Sequence, residues 1–251
     1  MEDLDSARNL PGSAADILRT LEQLGLHWDG EVSYQSRDLS RYAHALDELT
    51  RAGLTFECTC SRRELGALDE AGYPGTCRNL APRGGPAAMR FRVDLSARVA
   101  FDDEIQGRCD YALASLSDVI VRRRDGVYAY QLAVVIDDAL QGITKVVRGA
   151  DLLSSTPWQL ALQRALGLPA PRYAHVPVIV EPDGAKLAKS RRSVGVSSDS
   201  AAATLLQTLA LLRLAPPPEL AAQTPATILD WATRHWRPER LQGIRTLPLP
   251  G

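Results

Sequence analysis

Apolar residues recur every three or four positions in several segments of the chain, a spacing that places them on one face of a helix. Two of these segments are followed by Gly25 and Gly53, and glycine commonly terminates a helix. Two others begin at a hydroxyl residue followed by proline, Thr156 and Thr224, which is typical of a helix start. Helices are therefore predicted at residues 11–26, 38–52, 61–70, 130–140, 154–166, 199–214 and 224–236.

Strands are predicted where apolar and polar residues alternate, at residues 54–58, 89–93 and 118–122. Runs rich in β-branched residues at 143–147 and 175–180 predict buried strands. Strands and helices alternate up to about residue 180, and only helices follow. This order predicts an α/β fold with a C-terminal helical appendage. The last residues, 247–251, are expected to be frayed.

The composition is that of an ordinary globular protein, with 251 residues, 45% hydrophobic and 24% charged. The acidic start of the chain lacks a secretory signal, and no apolar run is long enough to span a membrane. A cytoplasmic protein is therefore expected. Residues 186–251 carry nine lysines and arginines against four acidic residues, whereas the preceding residues hold 20 against 26. This basic C-terminal part fits a polyanionic partner, and a solvated helical surface would give the same count.

A small-residue loop with two lysines three positions apart follows the predicted strand at 175–180. Lysine is a compact charge suited to phosphate, and two of them on one loop can converge on a polyanion. On its own the pattern is non-specific, because lysines in loops are usually solvated. The candidate residues of this loop are Lys186, Leu187, Ala188, Lys189 and Ser190.

Three cysteines lie close together in the sequence, Cys58, Cys60 and Cys77. In a chain with no secretory signal, such a group indicates a tetrahedral zinc site more than disulfides. A fourth ligand would have to come from Tyr73 or from a carboxylate such as Asp69. The alternative is that the cysteines are small buried hydrophobic residues.

Several polar residues in the middle of the chain could bind a small zwitterion. Arg148 directly follows a predicted strand, where ligands gather in open α/β sheets, although it could instead form a surface ion pair with Asp151. Tyr130 could point its hydroxyl into the same cleft or simply pack. Glu2 could hold an ammonium group or be solvated. His175 is expected to be structural, since no orienting partner for it is evident from the sequence.

Taken together, these segments resemble the catalytic core of the class I glutamyl-tRNA synthetases. The resemblance covers residues 1–240. It is carried by Met-Glu-Asp-Leu-Asp at the start, by residues 135–159, by Tyr-Ala-His-Val-Pro at 173–177 and by Lys-Leu-Ala-Lys-Ser at 186–190. The last segment resembles the lysine-rich KMSKS signature of that class.

Within the family, the chain resembles the short branch that attaches glutamate to queuosine in tRNA(Asp). Few residues follow the lysine loop, so an anticodon-binding domain is not expected. The Cys-x-Cys and Tyr-x-x-x-Cys spacing also matches the zinc module of that branch. The resemblance therefore implies a Rossmann-like core at 1–190 containing a zinc-binding insertion at 54–80, and a helical domain at 191–251.

The resemblance also implies the chemistry. Glutamate is activated by ATP with Mg²⁺ and transferred to the wobble base in the anticodon arm of tRNA(Asp), by a protein expected to be a monomer. Glu2, Tyr130 and Arg148 match glutamate-binding positions. Lys189 matches the ATP-binding lysine, and Lys186 is its companion in catalysis. Zinc would be held by Cys58, Cys60, Tyr73 and Cys77.

Two departures from the family pattern are apparent. The opening βα unit with its His-Ile-Gly-His-type signature is missing, so the core is expected to be incomplete at its N-terminus and this chain inactive or weak in adenylation. Ala188 replaces a serine of the lysine signature, which is expected to weaken nucleotide binding. A C-terminally shortened glutamyl-tRNA synthetase and a non-catalytic tRNA-binding remnant stay open as alternatives.

Overall fold

The computed structural model describes residues 1–65, 73–81, 84–181, 184, 186 and 201–248. Short 3₁₀ turns connect several of the longer elements. The helices are α1 (Ser13–Gln23), α2 (Ser40–Arg51), α3 (Arg62–Leu65), α4 (Leu113–Leu116), α5 (Tyr130–Leu140), α6 (Thr156–Ala165), α7 (Ala201–Leu211) and α8 (Pro225–His235). The strands are β1 (Thr55–Cys58), β2 (Ala88–Phe91), β3 (Arg98–Asp103), β4 (Gly107–Ala112), β5 (Val119–Arg122), β6 (Lys145–Gly149), β7 (Arg172–Val176), β8 (Val178–Val180) and β9 (Thr246–Pro248).

The strands form three sheets. An antiparallel sheet has the order β1-β2-β5, and a short parallel pair joins β8 to β9. The four-stranded sheet has the order β4-β3-β7-β6, in which β3, β7 and β6 are parallel and β4 is antiparallel. Helix α6 connects the parallel strands β6 and β7, as in a βαβ unit. The predicted α/β class is therefore confirmed as a mixed α/β fold.

Most predicted elements are present with ends shifted by a few residues. The capping box at the start of α3 is confirmed, because the Ser61 amide donates to the Glu64 carboxylate at 2.6 Å and the Glu64 amide to the Ser61 hydroxyl at 3.2 Å. The remainder of the predicted helix at 61–70 lies outside the described residues. The β3–β4 hairpin was not predicted from the sequence.

Two strand predictions and the expectation of a frayed tail were wrong. The run at 175–180 is two strands, because Pro177 lacks the amide hydrogen that would continue the ladder. Strand β6 is an edge strand, and Val147 is 61% exposed, so this strand is not buried. In the tail that was expected to be frayed, Leu247 and Pro248 pair with Ile179 and Val180 of β8.

The main hydrophobic core lies among α2, α5, α6 and the sheets that they cover. Its fully buried members include Tyr42, Leu132 and Leu162. A second cluster joins α7 and α8 to Leu24 at the end of α1, with Ile228 at its centre. No helix in the described part of the chain is long and apolar enough to cross a membrane.

Candidate active site

The candidate site lies where the parallel strands β6 and β7 approach their carboxyl ends. Arg148 of β6 is the register partner of His175 of β7. The 3₁₀ turn Ala150–Ser155 and the start of α6 follow β6 directly. Side chains at this edge of a parallel sheet are well placed to meet a ligand. The expected position of Arg148 at a strand end is thus confirmed.

Arg148 is held by several hydrogen bonds. Its Nε donates to His175 Nε2 at 3.0 Å, and its Nη1 donates to the Tyr130 hydroxyl at 3.2 Å. Its Nη2 donates to the Thr156 hydroxyl at 2.8 Å and to the Leu152 carbonyl at 3.4 Å. Among the described residues, no carboxylate lies within ion-pairing distance of Arg148. The guanidinium is therefore fixed in place, and within the described part of the chain no carboxylate forms an ion pair with it.

His175 is fully buried and does have an orienting partner, so the expectation that it had none was wrong. Its Nδ1 lies 2.6 Å from Asp103 Oδ2, and its backbone amide donates to Asp103 Oδ1 at 3.0 Å. Because arginine can only donate, Nε2 of His175 must accept, which places the ring proton on Nδ1 facing Asp103. The chain Asp103–His175–Arg148 therefore fixes both the tautomer and the arginine.

The Asp103 carboxylate is charged within this buried chain. Burial would raise its pKa, but hydrogen bonds from His175, Gln106 and Ile105 outweigh burial and lower the pKa below its usual value. Two more backbone amides, those of Ile105 and Gln106, donate to its Oδ1 at 3.0 and 2.8 Å. An ionised Asp103 is what the His175 ring proton requires as an acceptor.

Two carboxyl groups, those of Glu2 and Asp138, interact electrostatically with Arg148. Glu2 keeps solvent access, yet burial raises its pKa, and the chain amino group and Arg148 act against that shift. Asp138 of α5 is half-buried, and burial raises its pKa to about 6, with Arg148 opposing and Asp137 and Glu2 adding to the rise. The pKa of Tyr130 is likewise raised, mainly by burial. Glu2, Asp138 and Tyr130 thus share one electrostatic environment with Arg148.

Of the predicted lysine loop, only Lys186 lies within the described residues. Its Nζ pairs with the carboxylate of Asp151, and its backbone forms an antiparallel bridge with Val180. Asp151 therefore pairs with Lys186, and not with Arg148 as the alternative interpretation had it. The other loop candidates, Leu187, Ala188, Lys189 and Ser190, lie outside the described residues.

The three cysteines converge, since the sulfur atoms of Cys58, Cys60 and Cys77 all lie within 4.8 Å of one another. Cys60 and Cys77 are 3.4 Å apart at sulfur. Two thiolates on one tetrahedral zinc ion, with bonds of about 2.3 Å, lie about 3.8 Å apart, so these residues fit such an ion. The Tyr73 hydroxyl accepts from the Cys77 amide at 2.6 Å. Tyr73 therefore lies beside the cluster, where a fourth ligand is needed.

The thiols differ in acidity. Burial raises the pKa of Cys60 to about 11, and the neighbouring sulfurs add to the rise. Cys77 is also buried, but hydrogen bonds from Thr59, Cys60 and Tyr73 outweigh burial and lower its pKa to about 7. A thiol that ionises near neutral pH is the form that binds metal.

Comparison with known proteins gives the family. Residues 1–214 match the tRNA synthetases class I (E and Q), catalytic domain. The chain belongs to this family. The match includes Arg148, Tyr130, Glu2 and the cysteine cluster.

Relatives of this synthetase-family chain are close. It is 49% identical to the glutamyl-Q tRNA(Asp) synthetase of Pseudomonas paraeruginosa over 99% of the chain and 84% of that protein. It is 48% identical to that of Pseudomonas putida over 99% of the chain and 82% of that protein. Among solved structures, it is similar to glutamate-tRNA synthetases from Elizabethkingia meningosepticum and Elizabethkingia anophelis, with TM-scores of 0.77 and 0.78 and 21% identity. Those matches cover all of this chain and 59% and 60% of the compared chains, and they support the fold.

Three residues of the site were not predicted from the sequence. His175 was considered and set aside, and Asp103 and Asp138 were not considered as site residues. Asp138 follows Asp137 in the helix that begins at Tyr130, and this pair of acidic residues could have been recognised as part of the site. Asp103 lies in the hairpin that the sequence did not predict, so no local pattern pointed to it.

Proposed function

We propose that this protein activates glutamate with ATP and transfers it to queuosine at the wobble position of tRNA(Asp). The observation that carries this proposal is the contact between Arg148 and Tyr130 at the end of β6, where the charge of Arg148 also acts on Glu2. It occurs in a chain 49% identical to glutamyl-Q tRNA(Asp) synthetases. The core would comprise residues 1–190 and the helical domain residues 191–251, in a monomer.

Glutamate would bind between a cationic and an acidic side of the site. Arg148 has no carboxylate partner among the described residues, so its charge is available to a carboxylate of the substrate. Glu2 and Asp138 would attract the ammonium group from the opposite side. Tyr130 would add a hydroxyl beside the carboxylate. This division of charge suits a zwitterion with an additional acid group.

ATP would bind at the lysine loop, with Mg²⁺ on its phosphates. Lys186 already lies beside Asp151, next to the end of β6. Lys186 and Lys189 would stabilise the negative charge that develops on the departing pyrophosphate while the glutamate carboxylate attacks the α-phosphorus. The role of Lys189 rests on its match to the family signature.

A structural zinc ion would be held by Cys58, Cys60, Cys77 and Tyr73. Such an ion would tie β1 to the loop that carries Cys77, in a segment with few other buried residues. Its part is to stabilise the insertion, because no substrate-binding residue belongs to the cluster.

Transfer of radiolabelled glutamate to queuosine-containing tRNA(Asp) tests the proposal, with enzyme near the tRNA concentration so that slow turnover is detected. After nuclease digestion, the label is expected on the queuosine nucleoside. Label on the 3′-terminal adenosine of tRNA(Glu) would instead favour a shortened glutamyl-tRNA synthetase. Binding of tRNA without transfer of label to any nucleoside would contradict the proposal and favour a non-catalytic remnant.

A further inference from the structure

A cavity of 660 Å³ lies outside the site just described, between the cysteine cluster and the end of β5. Four arginines line it, and Asp125 is the acidic residue of its wall. The arginines are Arg8, Arg90, Arg123 and Arg124. None of them belongs to the glutamate site described above.

Acidic neighbours only partly neutralise this wall. Asp5 pairs with Arg123 at 2.5 Å and more loosely with Arg8 at 3.5 Å, and Asp125 also pairs with Arg123 at 2.5 Å. Among the described residues, Arg124 donates to two backbone carbonyls, those of Thr59 and Cys60, and pairs with no carboxylate. Within the described part of the chain, the ion pairs at this wall set two carboxylates, those of Asp5 and Asp125, against four guanidinium groups, which leaves the wall net positive.

Arg90 adds a buried positive charge to the wall of the cavity. It is 6% exposed, it lies over the Tyr73 ring at 3.8 Å, and its Nη1 donates to the Asp118 carbonyl. Within the described part of the chain, its Nε has no hydrogen-bond partner and no carboxylate pairs with it. A buried cation without a counterion is costly, and an anion in the cavity would offset that cost.

The cavity is close to the glutamate site. Asp5, which pairs with Arg123, lies three residues after Glu2, so their Cα atoms are at most about 11 Å apart. A base that reaches the glutamate site must be splayed out of its loop, and the adjoining phosphates then pass over the nearby protein surface. Single-stranded backbone is typically tracked by such a positively charged groove.

We infer that the cavity lined by Arg8, Arg90, Arg123 and Arg124 binds the phosphodiester backbone of the substrate RNA next to the base that is modified. This inference rests on the proposed function, since it takes the substrate to be a tRNA loop. The cavity would position the loop by charge, and the glutamate site would receive the base.

The test measures binding of an RNA hairpin with the sequence of the tRNA(Asp) anticodon arm by fluorescence anisotropy. Arg8→Gln and Arg124→Gln are each expected to raise Kd about tenfold at low salt. The double variant should lower the slope of log Kd against log salt by about 1.4, since each contact to single-stranded backbone contributes about 0.7. The Kd for glutamate should be unchanged.

Arg19→Gln is the matched control. Arg19 pairs with Asp16 three residues away, as Arg8 does with Asp5, and both arginine side chains are mostly exposed, at 63% and 74%. Equal hairpin affinity in the wild type and in all variants would overturn the inference. So would an equal loss in Arg19→Gln, or a parallel loss of ATP affinity, which would mark the cavity as a nucleotide site. Failure of glutamate transfer while the hairpin effect persists would overturn the proposed function alone.

Discussion

Arg148 and His175 are register partners on adjacent parallel strands, and the arginine Nε donates to the histidine Nε2 at 3.0 Å. The other ring nitrogen, Nδ1, donates to the Asp103 carboxylate at 2.6 Å, so Nε2 carries no proton and accepts from Arg148. The geometry of a residue proposed to bind glutamate is thus set by two buried residues that do not face the ligand. We consider His175 and Asp103 positioning residues.

Two substitutions of His175 each keep a different one of its side-chain hydrogen bonds to Asp103 and Arg148. An asparagine side chain can reach Asp103 but is too short to accept from Arg148, whereas a glutamine places its oxygen near the position of Nε2. We expect His175→Asn to raise the Kd for glutamate about tenfold or more, since a hydrogen bond to a charged group is worth about 1.5–3 kcal/mol. His175→Gln should restore much of the affinity. Isothermal titration calorimetry would measure both values.

His175→Asn could bind glutamate more weakly because the fold is destabilised or because Arg148 is displaced, so a control must separate the two causes. Ile105→Val provides the control, because Ile105 is 1% exposed, its backbone amide donates to Asp103, and it is not among the hydrogen-bond partners of Arg148. It should lower the free energy of unfolding by about 1 kcal/mol and leave glutamate binding intact. If His175→Asn bound glutamate as tightly as the wild type, the positioning role would be wrong.

Arg148→Lys keeps the charge but removes the planar fork. A lysine cannot donate at once toward His175, Tyr130 and a substrate carboxylate. We expect the Kd for glutamate to rise about a hundredfold, as measured by calorimetry at neutral pH. Arg98→Lys, at an exposed pair with Asp110, should have no effect. If the Kd for glutamate rose no more in Arg148→Lys than in Arg98→Lys, Arg148 would not bind glutamate.

The sequence predicted the elements that carry Tyr130 and Arg148, but it left open whether Tyr130 enters the cleft or packs. Helix α5 begins at Tyr130 as predicted, and strand β6 ends just after Arg148. Since ligands gather at the carboxyl ends of parallel strands, this rule pointed to Arg148, and the family resemblance added Tyr130, whose hydroxyl accepts from Arg148 in the structure. The convergence of Cys58, Cys60 and Cys77 could also be predicted, because their spacing is local.

The partners of His175 could not be predicted in this way. Asp103 is 72 residues away, in strand β3, and the two meet only because β3 pairs with β7 in parallel. Strand β3 carries charged and small residues on both sides, so it lacks the alternation that identifies a strand. Pairing between distant strands depends on the whole sheet, which no local pattern contains.

Asp138 should make stability depend on pH. Its pKa is raised by burial from an ordinary 3.8 to about 6 in the folded protein. Between about pH 4 and pH 6 the folded protein therefore binds more protons at this residue than the unfolded chain, so its contribution to stability falls as pH rises through that window. Asp138→Asn removes this loss and should raise the free energy of unfolding at pH 7 with little change at pH 4.

Urea denaturation at the two pH values would measure the effect. Asp102→Asn is the control, since the Asp102 side chain is 79% exposed. Its free energy of unfolding should differ little from that of the wild type at either pH. Asp138→Asn with no gain at pH 7, or with an equal gain at pH 4, would contradict the assignment of the raised pKa to Asp138.

The cysteine cluster should bind zinc through its sulfur atoms. Three thiols within 4.8 Å of one another, one with a pKa lowered to about 7, are arranged to lose their protons on binding. We expect mass spectrometry of purified protein to find a single zinc ion per chain, and Cys58→Ser to lose it together with several degrees of Tm. Cys109→Ser is the matched control, because Cys109 is also buried but its sulfur lies 3.6 Å from the Gly107 carbonyl, outside the cluster. Zinc retained in Cys58→Ser, or lost equally in Cys109→Ser, would show that the cysteines are buried hydrophobic residues and not ligands.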